Sequence, residues 1–484
     1  MYVLNSLTKK LEAFAPLNES TVAMYVCGLT PYDSAHIGHA RTYVSFDVIK
    51  RYLMKKGYGI FHIQNITDVD DKIIKRCKET GADPKKLTMQ NHDEALEMFG
   101  QLNILPANVY PKVTEHIPQI IELIQMIIKN GSAYETASGV YFDVSAFEQY
   151  GALSGQNMDE IKAGSRFEVD ETKNDPADFA LWKKTDGEII EFDSPWGRGR
   201  PGWHIECSAM IRTHVKGTLD IHGGARDLIF PHHENEIAQS EAGTRQKFCN
   251  CWMHTGFLTV SGEKMSKSLG NFITLKQALS TSTSNALRLF YLQAHYRSPL
   301  DYDEDRLKGT EESVERIFNS FGLIKEACLE TKTSHTDEEF RQKSNEFCQS
   351  FYKHMENDIN TPEALASLFG LLRLSNNHIQ NNKIDREQLE KVKNEIENML
   401  WILGLEERKT GLENKAARIF SLAKELGIVA KTPEEAIEQL VESRDDARAA
   451  KDYKKSDIIR NKLKEIGIII EDKAGVKGSR WKID

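Results

Sequence analysis

The chain has 484 residues, too many for one hydrophobic core, so three or four packed units are expected. No apolar run reaches the roughly 18 residues of a membrane span, nothing at the amino end reads as a signal peptide, and seven scattered cysteines argue against a disulfide framework. A cytoplasmic chain with reduced thiols is expected, and the net charge of −9 disfavours a nucleic-acid partner unless local basic patches supply the contact.

In chain order, Met24-Tyr25-Val26 reads as the end of a buried strand, with Cys27-Gly28 where it emerges. Pro31 disfavours helix at Thr30. Ile37, Ala40, Val44 and Val48 then follow at helical spacing, up to a stop at Lys55-Lys56-Gly57. Gly59 to Ile63 predicts a second strand and Asn65 to Arg76 leads into a helix, which together suggest a doubly wound parallel sheet. Residues 113–193 read as an insertion, opened by the apolar helix His116 to Lys129 and containing a strand at Val140 to Val144. Sheet character resumes over 194–250, so 1–112 and 194–250 form one α/β domain. Residues 251–305 carry a lysine loop and a helix, and 306–407 read as a helical bundle. After a polar linker, 412–484 form a small unit of two helices, a short strand at Ile468 to Ile470 and a basic tail.

Three sets of residues carry chemistry. His36-Ile37-Gly38-His39 falls on the first turn of the helix after a strand, where backbone N–H groups are unpaired and the helix dipole favours an anion. Gly38 would let a large ligand approach the backbone. Alone, the string is as readily a pair of surface histidines. The second set is Gly262 to Gly270, which places Lys264 and Lys267 in a loop of small polar residues. The third is dispersed. Cys27, Cys207, His232 and Glu236 offer two thiols, an imidazole and a carboxylate, with His232 and Glu236 sharing a helix face if Pro231 opens that helix. These are donors Zn²⁺ prefers, although inert core thiols and surface side chains are the commoner meaning of such a set. Cys249 and Cys251 are too closely spaced for one zinc and have no partner pair nearby. Cys77, Cys328 and Cys348 read as structural thiols, Lys72 and Lys75 as helix-surface charges.

His36 to His39 followed about two hundred residues later by Lys264-Met265-Ser266-Lys267-Ser268 resembles the class I aminoacyl-tRNA synthetases. Tyr25 to Gly28, Gly202 to Met210, Asp220 to Gly224 and His232 to Glu236 narrow this. In order and spacing they look like the cysteinyl-tRNA synthetase family, over essentially the whole chain.

The resemblance implies a Rossmann-type catalytic domain with an insertion (the connective peptide), a region contacting the tRNA stem, a helical bundle and a carboxyl-terminal anticodon-binding domain. It implies ATP bound by His36, Gly38, His39, Asp227, Lys264 and Lys267, with the two histidines and two lysines catalytic. One Zn²⁺ per chain would sit on Cys27, Cys207, His232 and Glu236, and Mg²⁺ would arrive with ATP. Trp203 and Cys27 would line the L-cysteine pocket. In the carboxyl-terminal domain, Arg448, Asp457, Arg460 and Asp472 would read the anticodon of tRNA(Cys), although a solvated helix face explains any one of them nearly as well. A monomer is implied.

Two departures are Ala225, where the family usually has a glycine, and Tyr453, where it often has Trp. A cysteine ligase of the mycothiol pathway shares the core but has no anticodon to read, and the full carboxyl-terminal half speaks against it. A non-catalytic RNA-binding paralogue predicts damage in the histidine or lysine motif, and both are intact.

Overall fold

The computed structural model describes residues 1–156, 171–266, 269–330, 335–380, 384–407, 412–472 and 479–483, with the side chains of 412–417, 471–472, 480 and 482–483 left aside. The chain divides into two units, Met1–Glu406 and Glu407–Asp484.

The first unit opens with an antiparallel pair, β1 (Tyr2–Asn5) and β2 (Lys10–Ala13). Next come β3 (Thr21–Val26), α1 (Ile37–Lys55), β4 (Gly59–Gln64), α2 (Asp71–Thr80) and α3 (Pro84–Gln101). Local signals set these ends. Asp70 and Asp83 cap the starts of α2 and α3 with their carboxylates, and Gly81 at φ 70° ends α2 in the left-handed region. Then follow α4 (Ile117–Lys129) and β5 (Ala133–Glu135), β6 (Gly139–Phe142), β7 (Phe179–Lys184) and β8 (Gly199–Pro201), a separate antiparallel sheet in that order. On α4, Ile117, Ile120, Leu123, Ile124 and Ile127 make one buried face over that sheet's own core.

The chain returns through α5 (Ile205–His214), β9 (Leu219–Ala225), α6 (Glu234–Thr244) and β10 (Cys249–Thr255). The central sheet is all parallel, in the order β10-β9-β3-β4. From β3 the chain goes first to one side and later to the other, so the strand order reverses between β3 and β9. Ligands of open parallel sheets bind beyond the carboxyl ends of the strands at such a point. β11 (Leu258–Val260), β12 (Glu263–Lys264), α7 (Leu275–Thr281), α8 (Ser284–Leu292) and β13 (Leu300–Tyr302) come next. Four long helices complete the unit: α9 (Glu304–Glu330), α10 (Glu338–Glu356), α11 (Thr361–Gln380) and α12 (Arg386–Leu403). They share one apolar core with the parallel sheet, running from Val44 and Leu287 to Ile317, Leu368 and Ile396.

The second unit comprises α13 (Leu412–Glu425), α14 (Pro433–Ala449), α15 (Tyr453–Glu465) and the antiparallel pair β14 (Ile468–Asp472) and β15 (Ser479–Ile483), over a core that includes Ile419, Leu440 and Ile459.

Three expected boundaries shift. Trp182 and Lys183 pair with Pro201 and Arg200, so the inserted sheet extends to 201 rather than stopping at 193. The parallel strand expected to close by 250 continues to Thr255, because Trp252 to Thr255 pair with His222 to Ala225. The second unit begins at Glu407 rather than 412. Among the described residues no helix is long and apolar enough to cross a membrane.

Candidate metal centre and nucleotide turn

Cys27 lies just past β3, and its N–H donates to Gly223 O at the carboxyl end of β9 (3.0 Å). Cys207 stands on the first turn of α5. His232 precedes α6 in a short turn (Ile229–His233), and Glu236 lies on that helix's first turn. Phe230 breaks the backbone before the cis Phe230–Pro231 peptide, and helical backbone resumes at Pro231, as expected, running through His232 and His233 into α6. His232 and Glu236 face each other.

Three segments distant in sequence therefore deliver Cys27, Cys207 and the pair His232 and Glu236 to one place. All are buried, and one donor atom of each lies within 4.8 Å of the others. Cys207 Sγ is 3.6 Å from His232 Nε2, Cys27 Sγ 3.8 Å from Glu236 Oε1, and His232 Nε2 3.1 Å from the same oxygen. Donors at ordinary zinc bond lengths in a tetrahedron stand about 3.3–3.8 Å apart, so spacing and donor chemistry fit that ion.

A second quartet shares two of these groups: Cys27, His222, His233 and Glu236. His222 Nε2 lies 2.8 Å from Glu236 Oε2, and His233 Nε2 3.2 Å from Cys27 Sγ. His233 Nδ1 meets His254 Nε2, and His254 Nδ1 meets Ser6 Oγ, each at 2.8 Å. On the other flank, His204 Nδ1 lies 2.9 Å from His232 Nδ1. Residue-by-residue reading of the sequence did not single out His204, His222, His233 or His254. A trace existed, since His222, Trp252 and His254 occupy one face of adjacent strands by the period of two, and the His222 and Trp252 rings stack at 4.3 Å.

The charges follow from the packing. Burial opposes ionisation of Glu236, yet His222 and His232 beside it bring its carboxyl down to about 2. Burial likewise works against a charged His232, and Glu236 and Cys207 outweigh it, raising the imidazole to about 10. A hydrogen bond from Cys27 lowers the Cys207 thiol to about 6, while burial keeps Cys27 protonated. Burial, and then the neighbouring imidazoles, hold His204 and His233 neutral; His254 is pulled down to about 3 by burial first. Trp203, 41% exposed, lays its ring 4.5 Å from that of the buried His232.

The histidine turn is the start of α1, the helix whose Tyr43 hydroxyl donates to Cys27 O at 3.2 Å. The expectation of unpaired backbone N–H groups there needs correction. His36 Nδ1 accepts from Gly38 N (3.1 Å) and His39 N (3.3 Å), His39 Nδ1 accepts from His36 N (3.4 Å), and the two rings stack at 3.6 Å. The histidines cap their own helix. Burial first, then the charges of His36 and Lys72, push His39 well below the usual imidazole range.

Lys264 is exposed on β12, Lys267 lies outside the described residues, and Asp227 is exposed just beyond β9. The segment after the lysine loop is stitched to the histidine turn by Ile37 N to Ile273 O (3.3 Å) and Leu275 N to Ala35 O (2.8 Å). In the second unit Arg448, Asp457 and Arg460 are exposed on α14 and α15, and the Asp472 side chain lies outside the described set.

The parallel sheet, the histidine turn and the lysine loop tied to it are those of a class I aminoacyl-tRNA synthetase. Residues 13–312 match the family model for the tRNA synthetases class I (C) catalytic domain, and residues 350–407 match the DALR domain. The chain is 43% identical to the cysteine–tRNA ligase of Thermococcus onnurineus, with 99% of this chain and 98% of the relative covered. It is 45% identical to that of Pyrococcus abyssi at the same coverage, and 43% identical to that of Carboxydothermus hydrogenoformans over the full length of both. Among solved structures, methionyl-tRNA synthetase of Mycobacterium tuberculosis in complex with methionyl-adenylate shares the fold (TM-score 0.59, 14% identity, 84% of this chain and 94% of that one). The chain belongs to the cysteine–tRNA ligase family and is an enzyme, a ligase that forms aminoacyl-tRNA.

Proposed function

We propose that the chain activates L-cysteine with ATP to cysteinyl-adenylate and pyrophosphate, then transfers cysteine to the 3′-terminal adenosine of tRNA(Cys) with release of AMP. The observation that carries this reading is the meeting of Cys27, Cys207, His232 and Glu236 at the end of β3, the strand whose chain goes on to the histidine turn. These four would hold Zn²⁺. His222 and His233 would serve as outer partners of Glu236 and Cys27, the support that metal ligands usually receive. When bound, the ion supplies a Lewis acid that takes a thiolate far better than an alcohol, which separates cysteine from serine.

Trp203, with its ring 4.5 Å from that of His232, would line the place of the cysteine side chain. In the first step a carboxylate oxygen of cysteine attacks the α-phosphorus of ATP, and the bond to the bridging oxygen of pyrophosphate breaks. The protein's part is placement and charge neutralisation. With Gly38 and His39 N–H groups already taken, phosphate oxygens meet the imidazoles of His36 and His39. Gly38 keeps the approach to the turn open. Lys264 and Lys267 draw in the leaving pyrophosphate, with Mg²⁺ entering as the ATP complex, and Asp227 accepts from the ribose hydroxyls. In the second unit Arg448, Asp457, Arg460 and Asp472 contact the unpaired anticodon bases.

Cysteine-dependent ATP–pyrophosphate exchange, followed by charging of tRNA(Cys), tests the reading. Exchange with cysteine and not with serine is expected. Absence of exchange by zinc-loaded protein, or labelled cysteine appearing on an amino sugar and never on tRNA, sinks it.

A further inference from the structure

Asp47 sits midway along α1, about 15 Å from the histidine turn that starts the helix. Its carboxylate is buried. Arg51 Nε donates to Oδ2 at 2.8 Å, Arg288 of α8 donates to the same oxygen, and Leu105 N–H donates to Oδ1 at 2.8 Å. Two guanidiniums on one carboxylate leave a positive charge over, and backbone carbonyls take it up. Arg288 donates to Leu403 O (2.6 Å) and Leu102 O (2.8 Å), Arg51 to Trp401 O (3.2 Å) and Asn103 O (2.6 Å). Leu403 and Trp401 belong to the last turn of α12, whose carbonyls carry the negative end of the helix dipole, and Trp401 O also accepts from Gly404 N (3.0 Å). Gly404 follows at φ 66°, and a Cβ there would overlap the Arg288 guanidinium.

Replacing a buried ion cluster by apolar packing of the same volume is often neutral or stabilising, so stability alone is a weak reason for this one. What it fixes is a spacing. α1 begins with the histidine turn, and α8 lies downstream of the lysine loop on a segment stitched to that turn. Tyr291, also on α8, donates its hydroxyl to Ile37 O at 3.0 Å. The two helices are thus tied at the head of α1 by Tyr291 and at its middle by Asp47 and Arg288.

We propose that Asp47, Arg288 and Tyr291 are positioning residues for ATP, fixing the distance between the histidine turn and the lysine loop. This rests on the nucleotide site proposed above. Lysine at 288 keeps the charge but loses the fork that reaches Asp47 and the carbonyls together. Tyr291→Phe removes one hydroxyl and keeps the packing.

The test is exchange kinetics on full-length Arg288→Lys and Tyr291→Phe, with zinc content and thermal midpoint measured in parallel. For Arg288→Lys the KM for ATP is expected to rise about tenfold, below the roughly hundredfold that a 1 Å misplacement can cost, with kcat changed less. Tyr291→Phe should move the same constant the same way by a smaller factor. The KM for cysteine and the zinc content should stay as in wild type. A lower thermal midpoint with KM for ATP within about twofold of wild type would reduce the cluster to a structural role and overturn the proposal, as would a parallel rise of both KM values. Should Arg288→Lys fail to fold, Tyr291→Phe decides by itself. Wild-type protein without exchange overturns the function reading instead, so the two failures are distinguishable.

Discussion

The methyl group of Met265 lies 3.7 Å from the point that a Cβ on Gly38 would occupy. The lysine-bearing segment therefore leans over the histidine turn itself, and Gly38 is the gap between them. A methyl at 38 would stand 3.0 Å from His36 Nδ1 and 3.1 Å from its Cε1, forcing the capping imidazole to move. Gly38→Ala is expected to lower kcat/KM for ATP in the exchange reaction about 10- to 100-fold while leaving zinc content and KM for cysteine unchanged. Unchanged ATP kinetics would mean that the turn does not meet the nucleotide.

Gly28, one residue past the metal-facing thiol, is required for a different reason. A Cβ there would overlap the Asn65 carbonyl oxygen, and its N–H donates to Asn65 Oδ1 at 2.7 Å. Backbone lies against backbone, so no side chain can swing away. Gly28→Ala is expected to destabilise the first unit by about 2–4 kcal/mol. Thermal melting reads this, and a midpoint within a degree or so of wild type would count against the close approach.

Acid sensitivity of the helical region should centre on Asp385, which caps α12. Burial pushes its carboxyl up, but Arg341 (Nε to Oδ2 2.5 Å) and the N–H groups of Asp337 and Gln388 bind the ionised form and bring it down to about 2 from 3.8. A carboxyl depressed on folding contributes stability that is present above its unfolded pKa and is lost as the pH falls through the folded one. Asp385→Asn is therefore expected to be less stable than wild type by roughly 1–2 kcal/mol near pH 6, with the gap narrowing from about pH 4 downward. Paired denaturation curves at pH 6 and pH 3 check this; a gap that widens in acid has the wrong sign.

Much of the architecture could be read from the sequence because its signals are local. Strand β3, the stop at Lys56-Gly57 and the apolar stripes of α4 and α12 each lie in a short window with a clear period. The candidate donors were legible by residue type, and the i,i+4 spacing put His232 with Glu236, but only the resemblance favoured a shared metal over inert core thiols, since nothing in the sequence spacing brings Cys27 and Cys207 to that pair. Single long-range contacts left no pattern at all. Asp47 with Arg288, Ile37 with Ile273 and His233 with His254 each join one residue to one other across the fold. The end of the insertion was misplaced for a related reason. Gly199 to Pro201 is short and carries no alternation, and only pairing with β7 makes it a strand.

The central claim is that a zinc ion on Cys27, Cys207, His232 and Glu236 selects the amino acid. Cys207 and His232 belong to this quartet alone, while His222 and His233 belong only to the overlapping one. The decisive measurement is metal analysis of wild type, Cys207→Ser, His232→Ala and His222→Asn, with cysteine-dependent exchange on the same samples. About one zinc per chain is expected in wild type and in His222→Asn. Metal and exchange should be lost together in Cys207→Ser and His232→Ala. Exchange at the wild-type rate from either variant, free of zinc, would contradict the claim.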